Sequence, residues 1–145
     1  MLKVLVAAVS LLLVAGCGGG ATNTGFTSST VNFAMKAQNF SNASGTGQVV
    51  TASNSFTLTV RLTGMMPMSS HISHIHAGDC GGPGGIVYAL QQVIADASGA
   101  ATATTIVPAK YLVSASGWYV NVHTGPDFTE PAYAPSTSCG NLSAT

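Results

Sequence analysis

The residues best suited to chemistry are histidines. The chain holds four of them, and three fall within one short run, His71-Ile72-Ser73-His74-Ile75-His76. The fourth, His123, ends the run Trp118-Tyr119-Val120-Asn121-Val122-His123. In an extended strand, residues two apart face the same side about 6.6 Å from each other. His74 and His76 can therefore aim both imidazoles at one ion while Ile75 enters the core. His123, on the polar side of a distant strand, supplies a third nitrogen if the fold brings the two strands together. Three imidazoles without a carboxylate suit copper or zinc and not magnesium or calcium. Met65-Met66-Pro67-Met68 lies just upstream. Its soft thioethers favour copper, with zinc as the alternative, although methionines also fill loosely packed core edges. On a regular strand His71 faces the other way and reads as hydrogen-bonding support for a ligand, or as a fourth ligand. The competing reading is a structural or adhesive domain whose histidines are hydrogen-bonded and hold no metal.

Other chemistries find little material. Gly78-Asp79-Cys80-Gly81-Gly82-Pro83-Gly84-Gly85 is Gly-rich, yet no helix follows to cradle a phosphate, so it reads as a loop. No Ser/His/Asp or Cys/His nucleophile arrangement is legible. Lys and Arg number four, Asp and Glu four, and charged residues make up only 6% of the 145. Such a chain has no basic face with which to displace counterions from nucleic acid, and too few acids for paired-carboxylate catalysis.

The elements that must position the histidines are strands. Ser55–Leu62 alternates, with Phe56, Leu58, Val60 and Leu62 on one face, and reads as a half-buried strand. Trp118–His123 alternates in the same way. Val31–Ala37, Gly47–Thr51, His71–His76, Ile86–Leu90 and Ala100–Val107 are weaker strand candidates. Lys110–Ser114 offers one helical turn at most. Short strands separated by turn residues predict an all-β sandwich or barrel.

The N-terminus reads as a leader. Lys3 precedes an apolar run, Val4 to Val14, of signal-peptide length and too short to span a bilayer. Leu13-Val14-Ala15-Gly16-Cys17 resembles the lipobox of bacterial lipoproteins, which implies cleavage before Cys17 and acylation of that residue. Residues 1–16 are then the signal peptide, 17–30 the acylated cysteine with a Gly/Ser/Thr-rich tether, and 31–145 the domain. The expected location is the cell envelope. Gly18 after the cysteine resembles lipoproteins sent to the outer membrane, where the organism has one. Cys80 and Cys139 remain, free to pair in an oxidising compartment.

His74-Ile75-His76-Ala77-Gly78, Gly84-Gly85-Ile86-Val87-Tyr88-Ala89-Leu90, Ser98-Gly99-Ala100-Ala101-Thr102 and Tyr119-Val120-Asn121-Val122-His123-Thr124 together resemble a CHRD domain. The resemblance runs from about Val31 to Leu142 and implies a fold and an exported location more than an activity. A more distant likeness is to the copper/zinc superoxide dismutases. His71, His74, His76 and Cys80 follow that family's order, as do His123-Thr124-Gly125-Pro126-Asp127 and Cys139-Gly140. The likeness implies a Greek-key, immunoglobulin-like sandwich or barrel, copper ligands at His74, His76 and His123, and a Cys80–Cys139 disulfide. The departures are as informative. No histidine lies between His76 and His123, so the bridging imidazolate and the zinc ligands are missing. Ala134-Pro135-Ser136-Thr137-Ser138 lacks the arginine that precedes the final cysteine. The expectation is a metal-binding domain, with a superoxide dismutase-like redox enzyme as the less favoured reading.

Overall fold

The computed structural model of the protein describes residues 26–82 and 84–145. The expected signal peptide, Cys17 and most of the tether lie outside the described residues. Ten strands follow in order: β1 Thr30–Ala37, β2 Ser44–Thr51, β3 Phe56–Thr63, β4 Ser70–His71, β5 Ser73–Ala77, β6 Ile86–Ala89, β7 Val93–Ile94, β8 Ala101–Val107, β9 Trp118–His123 and β10 Ser136–Leu142. Among the described residues the only helical element is a 3₁₀ turn at Pro131–Tyr133. Lys110–Ser114 forms no helical turn.

Eight strands make one antiparallel sheet in the order β6-β5-β9-β10-β1-β2-β3-β8, and β4 pairs β7 in a separate ribbon. The chain crosses between the two halves of the sheet after β3, after β6 and after β8, which gives the Greek-key character. β1 serves both halves: Thr30 to Met35 pair with β2, and Lys36 and Ala37 pair with β10. The sheet curls into a nearly closed barrel whose edges are β6 and β8. Across that gap the amide of Gln91, just beyond β6, donates to Thr105 Oγ1 on β8 at 2.8 Å.

Alternation decides what enters the core. Phe56, Leu58, Val60 and Leu62 of β3 are all buried, while Thr57, Thr59, Arg61 and Thr63 face outward. Ile75, Val120 and Val122 meet them from the other half. Phe56 lies edge-on to Tyr88 at 5.8 Å and to Tyr111 at 5.3 Å, closing one end of the core. β2 begins Ser-Gly-Thr-Gly, a poor strand sequence by propensity. The Phe33 ring, on the residue paired with Gly47, fills the space where a Cβ at Gly47 would stand, so the glycine leaves no gap.

Two differences from the sequence expectation bear on function. The run His71–His76 is not one strand: it breaks at Ile72, and β4 and β5 pair with different partners. β9 is not half-buried. All six of its residues are buried, so its polar face is covered as well as its apolar one.

Cys80 and Cys139 form a disulfide, with Cα atoms 5.9 Å apart and a separation of 59 in sequence. It ties the loop after β5 to β10. Closing a loop of that length stabilises by about 4 kcal/mol on chain-entropy grounds. Paired Cys80→Ser/Cys139→Ser substitution is therefore expected to lower the unfolding free energy by about that much. Urea denaturation checks it, and a loss no larger than that of a surface substitution would remove the disulfide as a main brace.

Candidate metal centre

The pairing of β5 with β9 builds the site. Its register sets Ile75 opposite Val120 on the core side. On the other side it sets His74 opposite Asn121 and His76 opposite Tyr119. His123 follows two residues after Asn121 on the same face, and its amide donates to the Ile72 carbonyl at 2.9 Å where β5 has just begun. Two strands remote in sequence thus present His74, His76, Tyr119, Asn121 and His123 together. Two loops cover this face: residues 124–135 after β9, and residues 78–82 with 84–85 after β5.

The three imidazoles form a nearly equilateral triangle. Ring centroids are 5.7 Å apart for His74 and His76, 5.4 Å for His74 and His123, and 5.9 Å for His76 and His123. One ring nitrogen from each lies within 4.8 Å of the others. Nitrogens sharing an ion at about 2.0–2.1 Å stand roughly 3.3–3.6 Å apart, so the three rings would have to draw closer around an ion.

Hydrogen bonds fix which nitrogens face inward. His76 Nδ1 donates to the Gly84 carbonyl at 2.9 Å, and His123 Nδ1 donates to the Ala134 carbonyl at 2.6 Å. A proton on Nδ1 leaves Nε2 with a lone pair, as a ligand requires. His76 Nε2 and His74 Nδ1 are both buried and have no hydrogen-bond partner. The Gly84 carbonyl can stand so close because residue 84 has no side chain. A Cβ there would come within 1.9 Å of the Ala77 carbonyl oxygen.

Aromatic rings complete the walls. Tyr119 stacks on His76 with centroids 5.1 Å apart. Phe128, from the loop after β9, stacks on His74 at 5.7 Å and meets His123 edge-on at 4.8 Å. Half of Phe128 remains exposed, so the ring separates the histidines from solvent on that side.

His71 is buried and uses both ring nitrogens: Nε2 with Ser69 Oγ at 2.6 Å, and Nδ1 with the His123 carbonyl at 2.8 Å. That leaves it no nitrogen for an ion. Met65 is buried in the core, while Met66 and Met68 are exposed. The carbonyls of Gly84 and Ala134, the Asn121 amide and the Phe128 ring belong to the site, and sequence reasoning did not select them. Only Asn121 had a signal, its place in the alternation of β9.

Burial first, then repulsion from His123 and His76, pushes the His74 imidazole down from 6.5 to about 4. His123 is also held below its ordinary value. Burial is the main cause, the Ala134 hydrogen bond opposes it, and His76 adds to it. At neutral pH both rings are therefore neutral, the form that binds metal.

The CHRD domain family matches residues 26–127. The chain belongs to the CHRD family. The match spans all four histidines and Cys80, and ends before β10, which carries Cys139. Comparison with curated proteins finds no match. As a CHRD domain the chain has a β-barrel-like fold and a three-histidine group able to hold a metal ion. Its disulfide is compatible with an oxidising compartment.

The depressed histidines set a pH dependence. Below about 6.5 the unfolded chain takes up protons that folded His74 and His123 refuse. Stability is therefore lost as pH falls from about 6.5 toward 4, and these two groups leave it flat above that range. Asp96 and Asp127 are held below the usual carboxylate value by hydrogen bonds in their own turns, so their loss comes at lower pH. In metal-free protein, Tm should decline across that window in wild type and less steeply in His74→Gln/His123→Gln. Equal slopes would show that other groups govern the decline.

Proposed function

We propose that this CHRD domain binds one copper ion, with zinc as the alternative, through His74, His76 and His123. The observation that carries the reading is a pair of buried, unpartnered ring nitrogens, His74 Nδ1 and His76 Nε2. One ring nitrogen from each of the three histidines lies within 4.8 Å of the other two. Burying such nitrogens without a partner costs about 1–3 kcal/mol each, a cost that a bound ion would reverse. The carbonyl clamps on His76 and His123 support it further, since they hold the tautomer that leaves a lone pair on Nε2, unpartnered in His76 and engaged only by the Asn121 amide in His123. Three neutral nitrogen donors favour copper over zinc by the general order of divalent affinities. His71 acts as a positioning residue that anchors the His123 backbone.

The cellular setting is part of the proposal. Acylation at Cys17 would tether the domain to a membrane by lipid, and the disulfide agrees with an exported location. The role that fits is metal handling at the cell envelope. No substrate or redox reaction is assigned, because the bridging histidine, zinc ligands and arginine of the dismutase pattern are missing from the sequence.

Equilibrium dialysis with metal analysis tests the reading. Wild type should retain stoichiometric Cu(II), and His76→Gln or His123→Gln should retain little. A ligand bound only by the folded state stabilises it by about 2.7 kcal/mol at a free concentration one hundred times Kd. Copper should therefore raise the Tm of wild type and leave that of the variants unchanged. A wild-type Tm insensitive to copper, zinc and chelator would support a structural envelope domain instead.

A further inference from the structure

One buried polar side chain on the histidine face has no role in holding an ion. Asn121 stands opposite His74 in the strand register and is 8% exposed. Its Oδ1 is buried without a hydrogen-bond partner, and its Nδ2 donates to His123 Nε2 at 3.3 Å. Asn121 also lines a pocket of about 290 Å³ together with His76, Tyr119, His123, Gly84 and Ser136. Neither His74 nor Phe128 lines this pocket, and neither does any Lys, Arg, Asp or Glu.

We propose that this pocket is a ligand subsite beside the metal, where Asn121 selects a small molecule carrying an N–H or O–H donor. The inference rests on the metal reading of His74, His76 and His123. An ion on His123 Nε2 takes the lone pair that Asn121 Nδ2 now engages. The released amide is then free to turn toward the pocket that Asn121 lines. Oδ1 can only accept, so the molecule that satisfies it must donate. The volume lies at the small end of the range for ligand pockets. The Tyr119 ring stacked on His76 gives one wall a flat apolar surface, which suits a planar occupant.

Imidazole and N-methylimidazole are matched probes, since only the first carries an N–H. Each is titrated into the copper-loaded full chain and followed by the visible absorption and paramagnetic resonance of Cu(II). One net hydrogen bond predicts that wild type binds imidazole about three- to tenfold more tightly. Asn121→Leu should bring the two to near parity, and Asn121→Asp, which keeps an acceptor, should retain the preference. No preference in wild type would overturn the subsite, as would an undiminished preference in Asn121→Leu. Copper content measured on the same samples separates the failures. Wild type without stoichiometric copper overturns the metal reading and this one together. Stoichiometric copper without selectivity overturns this one alone.

Discussion

The antiparallel register of β5 on β9 is the constraint on which the rest depends. Ile75 and Val120 meet on one side of it, and His74 and Asn121 on the other. A slip of one residue would carry the histidines into the core and Ile75 out to the surface. The core prevents this, because Ile75, Val120 and Val122 are completely buried there. The hydrophobic contacts that stabilise the barrel therefore also hold the imidazoles in place.

Strand register sets backbone positions but leaves rings free to turn about their own bonds. The loops remove that freedom. The loop after β5 brings the Gly84 carbonyl to His76, and residues 124–135 bring the Ala134 carbonyl to His123. Each loop has its own attachment. The disulfide holds Cys80 to β10, and the Cys80 amide donates to Asn141 Oδ1 at 2.8 Å. The second loop is held where the Gly125 and Thr124 amides donate to the carbonyls of Tyr133 and Pro135. Backbone carbonyls do this work in a chain whose carboxylates are few. A carboxylate in either place would favour a protonated ring, whereas a carbonyl fixes the tautomer with less pull on the proton.

Much of this was legible in sequence, and the reasons differ by element. β3 was plain because Phe56, Leu58, Val60 and Leu62 alternate with threonines and one arginine. The three ligand candidates stood out because histidine is scarce and His74 and His76 share the period of a strand. β10 was not visible, since Ser136–Leu142 is mostly Ser, Thr, Gly, Cys and Asn. It becomes a strand because β9 and β1 offer backbone partners on both sides, a tertiary effect that outweighs weak propensity. The break at Ile72 was equally hidden. It arises where Ile72 turns its amide to the Gly125 carbonyl and its own carbonyl to the His123 amide. The carbonyl partners of His76 and His123 belong to no side-chain pattern, so spacing could not reveal them.

The energetic logic of the site follows from what is left unsatisfied. A core optimised for stability alone would not bury ring nitrogens without partners beneath Phe128, nor an amide oxygen beside them. Each such group lowers stability by about 1–3 kcal/mol relative to a hydrogen-bonded or apolar replacement. The strain is concentrated on one face, and on that face the chain also has its strongest constraint, a disulfide from Cys80 to Cys139. Cys139 lies opposite Asn121 in the β9–β10 register, two strands over from His74. The brace therefore acts where the unsatisfied groups are. Rings clamped at Nδ1 on His76 and His123, with His74 Nδ1 and His76 Nε2 left unpartnered, are the arrangement that a bound metal ion would need.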